Sequence, residues 1–335
     1  ESKMKDKKIF ILMLACIFLM IFSVSLFAAE KPIIIKVGHG HTATHSYQLG
    51  LEQSKKIIEE KTNGRITLKF YPSAQLGNER QMQESLTAGT LEITITGLVN
   101  LYDPAFALFD FPYLYTNREQ IKAVMYSDLM DDMGKVLVKK GMRIIGLMEV
   151  GFRMITSNKP IKTPDDLKGF KIRTPESNAQ IETFRAMGAK PTPMSFNELY
   201  GALQQGIVDG QENPLENIYN AKFYEVQKYV TASKHIYNFA YVLVSEKFWQ
   251  TLSKEDQNLL TYAIREGCFW QINYLSKREA ELEQKLKDNG MKFIYPDLEL
   301  FKKASLGAYE SDFFKKLEPR SSEIIKQIRD IVARY

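Results

Sequence analysis

Beyond an apolar leader, hydrophobic positions switch repeatedly between a period of two and a period near 3.6 residues. Residues 33–37 form a short apolar run that predicts a buried strand. Over 46–61, Tyr47, Leu51 and Ile58 fall on one helical face, and Asn63-Gly64 closes the helix. Ile66, Leu68 and Phe70 then alternate as a strand before Pro72. A helix over 79–88 ends at Gly89, and 91–96 is the next strand. Strand, helix, strand, helix, strand predicts a parallel α/β sheet. A single helix over 118–139 leads to a strand over 142–150, and there the pattern restarts. TSNKP (156–160) reads as a turn. TPDDLKG reads as a compact helix, with Thr163 as cap, Pro164 first and two aspartates in the opening turn. FKIRTP is a strand stopped by Pro175, and Ser195 with Glu198 makes a capping box for a helix ending at Gly206. IVDGQEN is a strand, followed by a helix. Over 254–289, Leu260, Ala263, Ile264, Cys268, Ile272, Leu275 and Leu282 recur as a stripe. That predicts one helix about 50 Å long, enough to brace two α/β units.

The leader itself is of a different kind. Lys5, Lys7 and Lys8 precede an apolar run over 9–27 that ends in Ala28-Ala29, the pattern of a cleaved secretory signal peptide over 1–29. The run is nearly long enough to span a bilayer, so an uncleaved anchor is the alternative. Of the chain's formal net charge of +5, the leader carries +2, which leaves a mild +3 on 306 residues. No dense Lys/Arg run follows it, which argues against nucleic acid as a partner. Cys268 is the only thiol beyond the leader, so no internal disulfide is possible and stability rests on core burial. These readings predict an exported, soluble protein.

Three groups of residues carry candidate chemistry. GHGHTATHSY (38–47) holds three of the four histidines. His39, His41 and His45 have a spacing that permits zinc, yet no HExxH or CxxC accompanies them. The other reading is a polar loop at the carboxyl edge of a strand, where open α/β sheets bind ligands. Arg173 ends its strand before Pro175, and Arg153 follows the strand ending near Val150. Two guanidiniums at neighbouring strand ends would suit a carboxylate, or else a solvated face. In GQENPL, Asn213 before Pro214 reads as a helix N-cap, compatible with an anion contact. No nucleophile elbow, phosphate loop or dinucleotide fingerprint is present, which favours binding over catalysis without a cofactor.

With those residues in view, YPSAQLGNER, RMITSNKPIKTPDDLKGFKIRTP, MGAKPTPMSFNELYGALQQGIVDGQENPLENI and KFYEVQKYVTASKH resemble the DctP-type solute-binding proteins of the TRAP (tripartite ATP-independent periplasmic) transporters. The resemblance covers essentially everything beyond the leader. It implies a two-domain, periplasmic-binding-protein-like (Venus flytrap) fold with a hinge and a central cleft. The domains would be 30–150 plus 239–278, and 151–238 plus 279–335. Such receptors deliver organic acids, sugar acids or C4-dicarboxylates among them, to small and large membrane permease subunits. The signature carboxylate clamp falls on Arg173, a second arginine on Arg153, an aromatic wall on Phe196 and a polar contact on Asn213. Glu212 and His235 match a pair that orients the arginine through water. Glu79 matches a residue that meets ligand hydroxyls, and the loop holding His39 and His45 lines the cleft. Glu176, Gly97 and Asn100 depart from the sialate binders, which points away from sialic acid. Asn100, Glu176 and Tyr237 are expected to tune ligand choice. The chain is expected to act as a monomer without metal. A metal-binding receptor using His39, His41 and His45, or a sensory ectodomain, is the competing reading.

Overall fold

The computed structural model describes residues 31–335, so the leader read at 1–29 lies outside the described residues. The first lobe opens with β1 (Ile33–Gly38), α1 (Ser46–Lys61), β2 (Ile66–Tyr71), α2 (Glu79–Ala88) and β3 (Ile93–Thr96). These follow the sequence pattern closely. His45, Asn78 and Gly89 explain why: two N-cap side chains accept from backbone N–H groups of the first turns, and a left-handed glycine ends α2. The segment after β3 becomes two 3-10 turns; Phe106, Leu108 and Phe109 of the second are core, as is Phe111, which caps it.

The helix expected over 118–139 is two, α3 (Arg118–Met125) and α4 (Asp128–Val138). Ser127 divides them, because its hydroxyl accepts from Met130 N and starts a new helix. Next comes β4 (Met142–Phe152), longer than expected, and β5 (Met154–Ser157), which takes up Thr156 and Ser157 from the predicted turn. TPDDLKG is a single 3-10 turn over Pro164–Leu167. The second lobe continues with β6 (Lys171–Thr174), α5 (Asn178–Ala186), β7 (Lys190–Pro193), α6 (Phe196–Gln204), β8 (Gly210–Asn213), α7 (Leu215–Asn220) and β9 (Tyr229–Thr231). Only the last four residues of IVDGQEN pair as strand. Then β10 (Tyr237–Ser245) returns to the first lobe, followed by the one-turn α8 (Glu246–Trp249).

Two sheets result, β2-β1-β3-β10-β4 and β11-β9-β5-β8-β6-β7, the last-formed edge being β11 (Lys292–Ile294). Neither is purely parallel, as the alternating pattern had predicted. β10 runs antiparallel to β3 and β4, and β5 antiparallel to β8 and β9. Both are strands that arrive from the other lobe, so they enter their sheet from the opposite end.

α9 (Lys254–Asp288) is a 35-residue helix that packs Leu260, Ala263, Ile264 and Cys268 on the first sheet and Leu275, Leu282 and Leu286 in the second lobe. Between these stripes the buried Gln271 donates to Ser46 Oγ and to Glu149 O, both at 2.9 Å. The predicted brace is therefore present, and it changes partner at a polar joint. Before the C-terminal helices three segments cross between the lobes: β4 to β5 at Arg153, β9 to β10 over 232–236, and α9. Helices α10 (Leu298–Ser305), α11 (Asp312–Lys316) and α12 (Arg320–Val332) follow. In α12, Ile324, Ile325 and Ile328 pack with the aromatic core around Phe106 and Phe109, so the chain's last helix reaches back to the first lobe. Among the described residues, no helix is long and apolar enough to cross a membrane.

Candidate ligand-binding site

A cleft between the lobes holds a cavity of about 70 Å³, walled by His41, Tyr47, Glu79, Arg173, Phe196 and Asn238, among others. Arg173 is carried to it by β6, whose next residues end the strand at Pro175. Its side chain is buried, and its Nε and Nη2 both donate to Met194 O, at 3.0 and 2.7 Å. The guanidinium carbon lies 5.9 Å from the Phe196 ring centre. Among the described residues no carboxylate pairs with it. Burial, opposed by Glu212 and aided by repulsion from Arg153, lowers its pKa to about 10, so it stays charged at neutral pH. A buried cation without a counter-ion is costly unless an anion completes it.

Arg153 sits at the first crossing and is already engaged. Its Nη2 donates to Glu212 Oε1 at 2.8 Å and to Glu212 O at 2.7 Å, and its Nε forms a close ion pair with the same carboxylate. Burial alone would raise the Glu212 carboxyl, but Arg153 and His235 outweigh it and hold the pKa below the ordinary value. His235, on the second crossing, lies 3.2 Å from Glu212 Oε2 and 2.8 Å from Ser233 Oγ. The structure thus brings Glu212 and His235 together. The arginine that Glu212 contacts directly is Arg153. Glu212 ties both crossing segments to β8.

Asn213 lines the cleft from the end of β8, but it does not cap α7, whose N-cap is Pro214. Its Oδ1 accepts from Asn217 Nδ2 at 2.9 Å, and its Nδ2 donates to Gln211. The relay continues to His45: Asn217 Oδ1 accepts from His45 Nε2 at 2.8 Å, while His45 Nδ1 accepts from Tyr47 N at 3.2 Å. Both His45 nitrogens are used in the neutral tautomer, as a helix cap and an inter-lobe bond. Its ring stacks on His41, centroids 4.2 Å apart.

The histidine that faces the cavity is His41, not His39 or His45. His39 is fully buried, and loss of water lowers its pKa to about 4. Among the described residues there is no group of three His, Cys, Asp or Glu that could hold a metal. Glu79, at the start of α2, accepts from Thr96 Oγ1 at 2.7 Å, and burial raises its pKa. Glu176 reaches across to Arg80 at 3.5 Å, and its carbonyl accepts from Asn100 Nδ2 at 3.1 Å. Asn100 therefore bridges the lobes instead of lining the cavity. Tyr237 is also outside it: its hydroxyl donates to Glu149 and its ring packs on Phe152 at 4.4 Å.

The neighbour of Tyr237 takes the place expected of it. Asn238 lines the cavity, and its Oδ1 is buried with no hydrogen-bond partner among the described residues. Gln180 Oε1 and Ser195 Oγ share that condition. Ser195 is the N-cap of α6, but its side chain makes no cap bond; Glu198 N bonds Ser195 O instead. The predicted capping box does not form, and the hydroxyl is left for the cleft. A lone asparagine in an apolar strand was a legible signal. Gln180, on a polar helix, carried none.

A family model, "Bacterial extracellular solute-binding protein, family 7" (DctP), matches residues 37–317. The sialic acid-binding periplasmic protein of Vibrio cholerae is 38% identical over 76% of this chain and 80% of its own length. The C4-dicarboxylate-binding periplasmic protein of Rhodobacter capsulatus is 32% identical over 78% of this chain and 80% of its own. A TRAP periplasmic solute-binding protein of Haemophilus influenzae, crystallised with bound L-gulonate, superposes with a TM-score of 0.85 at 32% identity, covering 89% of this chain and 99% of that one. The superposition extends over nearly the whole described fold, and the chain belongs to the DctP family of bacterial extracellular solute-binding proteins.

Proposed function

We propose that the chain is the periplasmic receptor of a TRAP transporter, binding an organic acid and handing it to the membrane permease subunits without chemical change. The observation that carries this reading is Arg173: a buried guanidinium in the cleft, hydrogen-bonded to one carbonyl and, among the described residues, paired with no carboxylate. A ligand carboxylate supplies the missing charge through the planar fork. Phe196 covers the ligand's apolar face, and Asn213 is held ready at the cavity floor by its relay. Relatives named for sialic acid, L-gulonate and C4-dicarboxylates share one feature, a carboxylate. The lobes divide as 30–150 plus 239–278 and 151–238 plus 279–335, with α12 reaching back. They close about the hinge when the acid binds, and the closed form is what the permease reads. The receptor acts as a monomer.

Removing one partner of a desolvated ion pair costs about 3–5 kcal/mol. Arg173→Ala should therefore weaken acid binding by several hundredfold or more in titration calorimetry, with its own unliganded melting temperature unchanged or raised. Affinity close to wild type in that variant would contradict the proposal.

A further inference from the structure

The receptor reading leaves open which acids fit, and the charges of the cleft bear on that. Three arginines line it, Arg80, Arg153 and Arg173. Arg80 faces Glu176 at 3.5 Å, and Arg153 is taken by Glu212. Of the three, only Arg173 lacks a carboxylate partner among the described residues. Glu79, in turn, has no cation in pairing distance among the described residues; its bond is to the Thr96 hydroxyl. A ligand bearing one carboxylate pairs with Arg173 and leaves Glu79 to face the rest of the ligand. Among the described residues of the cleft a second carboxylate finds no unpaired cation, and it meets Glu79, whose burial weakens screening so that like charges repel strongly.

The unpartnered polar atoms bear on the rest of the ligand. Gln180 is 1% exposed and Asn238 5% exposed, and the orphaned atom of each is a carbonyl oxygen. Such an oxygen can only accept, so it must be met by a donor. Gln180 belongs to α5 in the second lobe, and Asn238 to β10 beside the hinge, where the register with β4 shifts. Ser195 Oγ adds a third site in the second lobe. Hydroxyl groups donate; carboxylates at neutral pH and methylene groups do not.

Resting on the receptor reading, we infer that this cleft selects a singly charged, hydroxyl-bearing acid of the aldonate kind and rejects dicarboxylates, with Gln180 and Asn238 reading the hydroxyls and Glu79 repelling a second carboxylate. Sites built to hydrogen-bond a substrate hydroxyl reject the analogue lacking it, because their buried polar groups are left unpaired. These two amides are specificity-determining residues of a kind the charge pattern alone does not reveal.

The test is titration calorimetry of the purified protein with L-gulonate, L-galactonate, D-erythronate, succinate and hexanoate, repeated on Gln180→Met, Asn238→Leu and Glu79→Gln. At least one aldonate should bind at least a hundredfold more tightly than succinate or hexanoate. Gln180→Met and Asn238→Leu should each weaken that aldonate by roughly ten- to a hundredfold, while the melting temperature without ligand is unchanged or higher, since each removes an unsatisfied buried group. Glu79→Gln should narrow the gap to succinate. Succinate binding as well as the aldonates, or amide variants that leave the aldonate affinity intact, would overturn the inference and spare the receptor reading. Failure of all five acids to bind the wild-type protein would overturn both.

Discussion

His39 and His45, six positions apart, are buried for different reasons. His45 is satisfied on both nitrogens, whereas His39 is kept neutral by burial, with a pKa of about 4 against an ordinary 6.5. The unfolded chain therefore takes up a proton on His39 near pH 6.5, and the folded chain only near pH 4. Folded stability is intact above that window and is lost as pH falls through it. Between pH 7 and pH 4.5 the loss from this residue is about 2 kcal/mol. His39→Gln should remove that share, so urea unfolding of the variant should decline with acid by about 2 kcal/mol less than wild type; parallel declines would refute it. At this scale the place of Arg173 at the cleft was legible, because β6 carries it to the strand's carboxyl end one residue before the terminal Thr174 and two before Pro175. The histidines were harder. The chain leaves β1 at Gly38, and Ala74 N and Ser73 N bond His39 O and His41 O, so strand alternation no longer says which ring faces the cavity. Tyr237 and Asn238 differ by one residue on a strand, and one residue is enough to exchange faces.

Among the elements, α1 and α9 approach more closely than side chains normally allow. A Cβ on Gly50 would lie 2.8 Å from Gly267 O, and one on Gly267 would collide with Ser54 Oγ and Gly50 O. The two helices cross through glycine, and that contact seats α9 on the first lobe. Gly267→Ala, despite its better helix propensity, should destabilise the protein by about 1–3 kcal/mol in denaturant unfolding; a neutral or stabilising result would mean the crossing is loose. Individual elements were largely readable because caps and apolar periods are local. The break at Ser127 was missed because the apolar stripe continues through α3 and α4 and hides a cap within it. Pairing direction was missed because neither antiparallel strand was read as one: β5 overlaps the predicted turn at Thr156 and Ser157, and β10 is buried along its whole length without the alternation that marks a strand.

For the whole molecule, the hinge and the site share residues. Arg153 lies in one crossing segment, His235 in another, and Glu212 holds both; Gln271 sits where α9 changes lobes. Around them, His45 to Asn217, Ser46 to Glu216 and Asn100 to Glu176 join the lobes. A bound acid adds bonds on both sides of the cleft, so small-angle scattering should record a smaller radius of gyration on saturation with a binding acid. An unchanged radius would contradict hinge closure. The two-lobe plan was legible from the restarting pattern and the long helix, whereas the polar joint that couples hinge to cleft appears only once the strands are paired. The most direct measurement is a crystal structure with the tightest-binding acid of the panel. The account predicts its carboxylate within about 2.8 Å of the Arg173 guanidinium nitrogens, with Glu212 still on Arg153. An acid seated in the cleft with Arg173 bonded only to Met194 would contradict it.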